Sequence, residues 1–141
     1  MSEIEQEILK KVMQWLSLAD EDLKLASHAL GLGAQSPYRL IAYHAQQCAE
    51  KCLKAFLVYH NVDFPYTHNI RRLLKFCAEH AEWTDTLKGA EELTPYAITA
   101  RYPGEDEQVS EAEAKRAIEL AWQVRKQVRN TLEQLGLKLP E

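Results

Sequence analysis

The densest run of chemistry-bearing side chains is Tyr43-His44-Ala45-Gln46-Gln47-Cys48-Ala49-Glu50-Lys51-Cys52-Leu53-Lys54. His44, Gln47, Lys51 and Lys54 recur at spacings of three, four and three, so a helix lines up an imidazole, an amide and two amines on one stripe. Ammonium groups supply point charges, and an amide both donates and accepts, which is chemistry suited to a phosphate or a nucleotide. Taken alone, the helix has a simpler account: a solvated face with a Glu50-Lys54 pair at i,i+4, worth about 0.3–0.5 kcal/mol. More cations follow, His68 and then Arg71, Arg72 and Lys75, with Arg71 and Lys75 on one face. Antiparallel packing of the two helices would bring them close to Lys54 as a basic patch.

Other constellations carry less. Arg39 stands ahead of His44 at a spacing that an arginine-histidine ribonuclease pair would use, but Arg39 reads first as a residue serving the helix start and His44 as a member of the polar stripe. Arg101, followed by Tyr102 and Pro103, could present a phosphate-binding fork or tie a helix end to a carboxylate such as Glu50. Tyr102 could stack on a base or plug the end of the bundle. His44, Cys48 and Cys52, with Cys77 and His80, have a geometrically possible metal spacing. The two helical cysteines share the stripe of Ala45 and Phe56, however, so they read as core thiols, and no metal or other cofactor is expected. There is no glycine-rich phosphate loop, nucleophile elbow or His-Glu-x-x-His segment.

The elements that must position these groups are helical. Ile8, Val12, Trp15, Ala19, Leu23, Ala26 and Leu30 mark a first amphipathic helix over 3–30. Gly31 and Gly33 end it, and Ser36-Pro37 reads as a cap with proline at the first position of a second helix reaching about His60. Pro65 bars its continuation, and Thr67 reads as the cap of a third helix through Leu73, Leu74 and Cys77 to about Glu82. Thr94-Pro95 interrupts the next stretch, which is expected to form a short helix ending near Tyr102. Ser110 and Glu113 make a capping box for the last helix, which stops at Gly136. The expected fold is all-α, an up-and-down bundle of four long helices plus a short one, in a single domain over 1–141.

Composition sets the bounds. The 141 residues are 46% hydrophobic and 27% charged, enough for one packed core and unlike a disordered chain or a rod. Five glycines and five prolines are too few for the turns of a sandwich or barrel. A net charge of -4 gives no global attraction to polyanions, so nucleic-acid binding requires a local cation cluster. No apolar run approaches the roughly 20 residues of a membrane span. Without a recognisable export signal and with an odd set of three cysteines, the expected compartment is the reducing cytoplasm.

The order of several segments resembles the HEPN domain family (higher eukaryotes and prokaryotes nucleotide-binding domain). The resemblance rests on Trp15 with Ala19-Asp20 and Asp22-Leu23, the run Tyr43 to Ala55, Thr67-His68-Asn69-Ile70 with Leu73-Leu74, and Ala100-Arg101-Tyr102-Pro103. It implies a helical bundle, often a homodimer, with functions from nucleotide or RNA binding to metal-independent ribonuclease toxins. It also implies a small nucleotidyltransferase as partner in a toxin-antitoxin-like pair. On this resemblance the ligand-binding set is Tyr43, His44, Gln47, Lys51, Lys54, His68, Arg101 and Tyr102. Ribonuclease relatives carry a histidine four to six residues after an arginine. Here Asp106, Glu107 and Gln108 follow Arg101 instead, so a binding role is expected ahead of catalysis, with His44, Arg39 and Arg101 as the residues a nuclease would use and a purely protein-binding helical subunit without ligand as the other alternative.

Overall fold

The computed structural model describes residues 1–98 and 108–140, and those residues are helical, with no strand among them. Helix α1 spans Glu3–Ala29, and its first turn is closed by the Ser2 hydroxyl, which accepts from the Glu5 amide at 3.1 Å. It buries Val12, Leu16, Ala19, Leu23 and Ala26 at spacings of three and four. A 3-10 segment over Leu30–Gln35 follows, and of its two glycines Gly33 alone takes positive φ, at 68°. Ser36 does not cap the next helix. Its hydroxyl donates to the Leu30 carbonyl at 3.2 Å, Pro37 occupies the cap position, and α2 runs over Tyr38–Tyr59.

The end of α2 is local. Asn61 adopts φ of 56°, its amide donates to Val58 and that of Val62 to Leu57, both at 3.0 Å, which closes the last turn before Pro65 is reached. Helix α3, Ile70–Cys77, starts later than the expected element because its start is capped by Asn69 rather than Thr67. The Asn69 side chain accepts from the Arg72 amide at 3.0 Å, and Thr94 accepts from the Ile70 amide at 3.1 Å. Past Cys77 the chain turns so that the His80 ring stacks on His60 at 4.5 Å and Trp83 meets Phe56 edge-on at 5.1 Å. Continuing α3 to Glu82 would forgo those contacts.

The stretch expected to be a short helix is a second 3-10 segment over Thr84–Ala97. Its buried residues Leu87, Ala90 and Leu93 repeat every third position, the period of that helix type. Its expected end near Tyr102 lies outside the described residues, as do Arg101, Tyr102 and Pro103. Helix α4, Glu111–Gln134, begins with the capping box read from sequence: Glu113 N–H donates to Ser110 Oγ at 3.0 Å, and Ser110 N–H donates to Glu113 Oε1 at 3.2 Å. Gly136, at φ of 104°, ends it.

α2 is the central element, packed between α1 and α4 and covered by α3 and the second 3-10 segment. It contributes Ile41, Leu53, Phe56 and Leu57 to the core. Cys48, Cys52 and Cys77 are buried free thiols. Burial pushes the Cys77 thiol up to about 12, and hydrogen bonding with Cys52 together with burial raises Cys48. Cys48 and Cys77 are therefore neutral core groups, not nucleophiles. No described helix is long and apolar enough to cross a membrane.

Two measurements check this packing. Replacing Ser110 with Ala should cost about 1 kcal/mol in urea unfolding. Burial and the neighbouring His80 hold His60 below its ordinary 6.5. Its neutral form is favoured in the folded protein, so its contribution is complete above that value and is lost as pH falls through the lower folded value. Between about pH 7.5 and about pH 5.5, wild type should lose more melting temperature than His60→Asn.

Candidate functional site

Two carboxylates, one on α1 and one on α2, organise the polar groups of the central helix. Asp22 lies inside the apolar stripe of α1 and is only 9% exposed. A charge so placed is costly unless paired. Lys51 Nζ meets Asp22 Oδ2 at 2.6 Å, and His44 Nδ1 meets Oδ1 at 2.8 Å. An ionised carboxylate can only accept, so the hydrogen of this bond sits on His44 Nδ1. In the neutral ring Nε2 is then an acceptor. Lys51 spends one of its three donors on Asp22, leaving two. Tyr43 packs its ring edge-on to His44 at 5.0 Å.

Glu50 is deeper, at 2% exposure. Its Oε2 takes Lys54 Nζ at 2.9 Å, and its Oε1 takes His68 Nδ1 at 2.7 Å and Gln46 Nε2 at 3.2 Å. Gln46 also donates to the His68 carbonyl at 3.0 Å, and Gln47 donates to Gln46 Oε1 at 2.7 Å. Burial by itself would raise the Glu50 carboxyl, but the bonds from Lys54, His68 and Gln46 outweigh it and hold the group below the usual carboxylate range. The Lys54 ammonium also faces the rings of Trp15, Phe64 and Tyr66 at 5.5, 5.8 and 5.9 Å. Lys54 is thereby committed inside the fold.

The residues read from sequence divide accordingly. Tyr43, His44 and Lys51 stand together at the α1–α2 edge, with the His44 and Lys51 side chains retaining 26% and 21% exposure. Gln47 and Lys54 are buried and belong to the Glu50 network rather than to a solvated stripe. His68 joins that network from the loop before α3. Arg39 lies in the first turn of α2, and the helix turns through about 140° between it and His44. The basic residues of α3 are not in this cluster: Arg71, Arg72 and Lys75 line a groove of about 580 Å³ with Asn69, Phe76 and Glu79. Arg101 and Tyr102 are outside the described residues. Reading by residue type alone passes over Asp22 and Gln46, and it treats Glu50 as a surface partner. The available signal was a carboxylate among core positions, seven residues after Trp15 in the case of Asp22.

An all-helical bundle with a carboxylate-anchored network sunk into its central helix is the architecture the chain defines. The HEPN domain family profile matches residues 12–131, and the chain belongs to that family. It is similar to the crystal structure of TT1696 from Thermus thermophilus, at 28% identity and a TM-score of 0.70, over 85% of this chain and 97% of that one. It is also similar to ST0689, an archaeal HEPN homologue, at 25% identity and a TM-score of 0.67, over 85% of this chain and 96% of the other. No curated protein matches the sequence.

Removing the anchor should be expensive. Glu50→Ala leaves Lys54 buried without its counter-charge and should lower the unfolding free energy by about 3–5 kcal/mol in urea titrations; a loss under about 1 kcal/mol would contradict the network. Because the folded carboxyl titrates below its ordinary 4.5, its contribution is present above that pH and disappears on acidification. Glu50→Gln should therefore flatten the acid limb of the stability curve below about pH 4.5.

Proposed function

We propose that this HEPN protein binds a nucleotide or RNA at the α1–α2 edge, with Lys51 on a phosphate and His44 and Tyr43 on the ribose or base. The observation that carries the reading is the Asp22 clamp: one buried carboxylate fixes an amine and an imidazole while both keep exposed surface. Holding them in advance lowers the ordering cost that flexible side chains would otherwise pay on binding. Two free ammonium hydrogens suit phosphate oxygens, and an acceptor Nε2 suits a ribose hydroxyl. Arg101 and Tyr102 are assigned to the same ligand on the family resemblance of their Arg-Tyr-Pro element. Membership in the family also supports placing this chain beside a minimal nucleotidyltransferase in a toxin-antitoxin-like pair, working as a homodimer in the cytoplasm.

A second reading has its own observation. Asp22 on His44 Nδ1 is the arrangement of an oriented general base. In a ribonuclease, Nε2 would take the proton of a ribose 2′-hydroxyl, the 2′-oxygen would attack the adjacent phosphorus, and the 5′-oxygen would leave with a proton from solvent. The products are a 2′,3′-cyclic phosphate and a 5′-hydroxyl.

Calorimetry against adenosine triphosphate and a short single-stranded RNA separates these. Binding with a loss of about tenfold or more in Lys51→Ala and Arg101→Ala supports the first reading. Absence of heat with every probe for wild type abandons it. Cleavage of the RNA in a chelator, lost in His44→Ala, supports the second; full cleavage by His44→Ala removes His44 as the base.

A further inference from the structure

A groove of about 580 Å³ runs between α1 and α4, with Asp20, Lys24, Ser27 and His28 on one side and Trp122 and Arg125 on the other. The α4 wall is already fixed. Arg125 Nε donates to Asp20 Oδ1 at 2.7 Å, and Nη2 reaches Oδ2 at 3.5 Å. The same guanidinium lies 5.2 Å from the centre of the Trp122 ring, and Trp122 stays 48% exposed. Ion pair and ring contact together hold the arginine, so the indole is presented on a set support at little ordering cost. The α1 wall is unspent. Lys24 and His28 stand one turn apart with Ser27 beside them, and none of these three side chains bonds or pairs with a described residue.

The two walls ask for different things of one ligand. A half-exposed indole offers a flat apolar surface, which a planar aromatic ring covers best. An ammonium, a hydroxyl and an imidazole across the groove call for an anion. The charge limits that anion: Lys24 and Arg125 are positive and Asp20 is negative, which leaves one positive charge uncompensated when His28 is neutral. We infer that the α1–α4 groove is a binding site for a small planar aromatic carboxylate, its ring against Trp122 and its carboxylate on Lys24, with Ser27 and His28 as further donors. One carboxylate matches the spare charge, whereas a phosphate monoester, at about −1.5 to −2, exceeds it. The inference uses no part of the nucleotide reading. Asp20 and Asp22 lie about 200° apart around α1, so this groove and the α1–α2 edge open on different sides of the helix.

Naphthoate is the probe. Titrated into the full chain, it should move one of the three indole N–H signals in proton–nitrogen NMR, the one missing from Trp122→Ala, with a dissociation constant of about 1 mM or tighter. Affinity should fall about tenfold or more in Trp122→Ala and in Lys24→Gln. Both side chains are exposed, so far-UV dichroism should be unchanged. Cyclohexanecarboxylate keeps the charge without the flat ring, and naphthalenemethanol keeps the ring without the charge; each should bind about tenfold more weakly. Adenosine triphosphate and a short single-stranded RNA should not displace the probe. No movement of the Trp122 signal at about 5 mM naphthoate overturns the inference, and so does full affinity in either variant. Equal binding of the alcohol overturns the carboxylate, and displacement by adenosine triphosphate or RNA overturns the ligand class.

Discussion

Two negative charges held in the interior constrain everything around them. Asp22 and Glu50 are nearly inaccessible, and an ionised carboxylate in that position must be met by cations and hydrogen-bond donors or the fold loses several kcal/mol. The donors come from α2 and from the loop before α3. Asp22 draws Lys51 and His44 from α2 to α1, while Glu50 draws Lys54 and Gln46 on its own helix and His68 from the loop beyond it. The network therefore fixes the register between α1 and α2, and it pins the chain just before α3. Apolar packing could bury the same area in neighbouring registers, but a charged pair fits only one.

That constraint divides the central helix by function. Lys54 and Gln47 are spent on satisfying Glu50, so their presence on a polar stripe does not make them available to a ligand. Lys51 and His44 are also paired, but at the border of the helix packing, where each keeps surface and unused hydrogen-bonding capacity. The chemistry left over is that of an amine and a fixed imidazole side by side.

The helical architecture was legible because its signals are local. The three-and-four spacing of apolar residues, the Ser110-Glu113 box and Gly136 each act within a few residues, and each appears where the sequence puts it. Element ends set by distant partners were less legible. Thr94 capping α3 across 24 residues, and the His60-His80 stack that replaces the last turns of α3, have no marker in the neighbouring sequence. The site followed the same division. A helical wheel correctly gathers His44, Gln47, Lys51 and Lys54, but which of them face solvent depends on Asp22, 22 residues before His44. The carboxylates were harder to recognise than the cations because acidic residues among core positions resemble ordinary helix-surface residues until their neighbours are known. The Arg101 element lies in the part of the chain outside the described residues.

The central claim is that Asp22 orients His44 through Nδ1, which leaves Nε2 as the acceptor at the α1–α2 edge. Long-range proton–nitrogen correlation of the histidine side chains by NMR, at about pH 8.5 where imidazoles are neutral, reads this directly. The account predicts the Nδ1–H tautomer for His44 in wild type and its loss in Asp22→Ala. An Nε2–H tautomer in wild type, unchanged by that substitution, would contradict it.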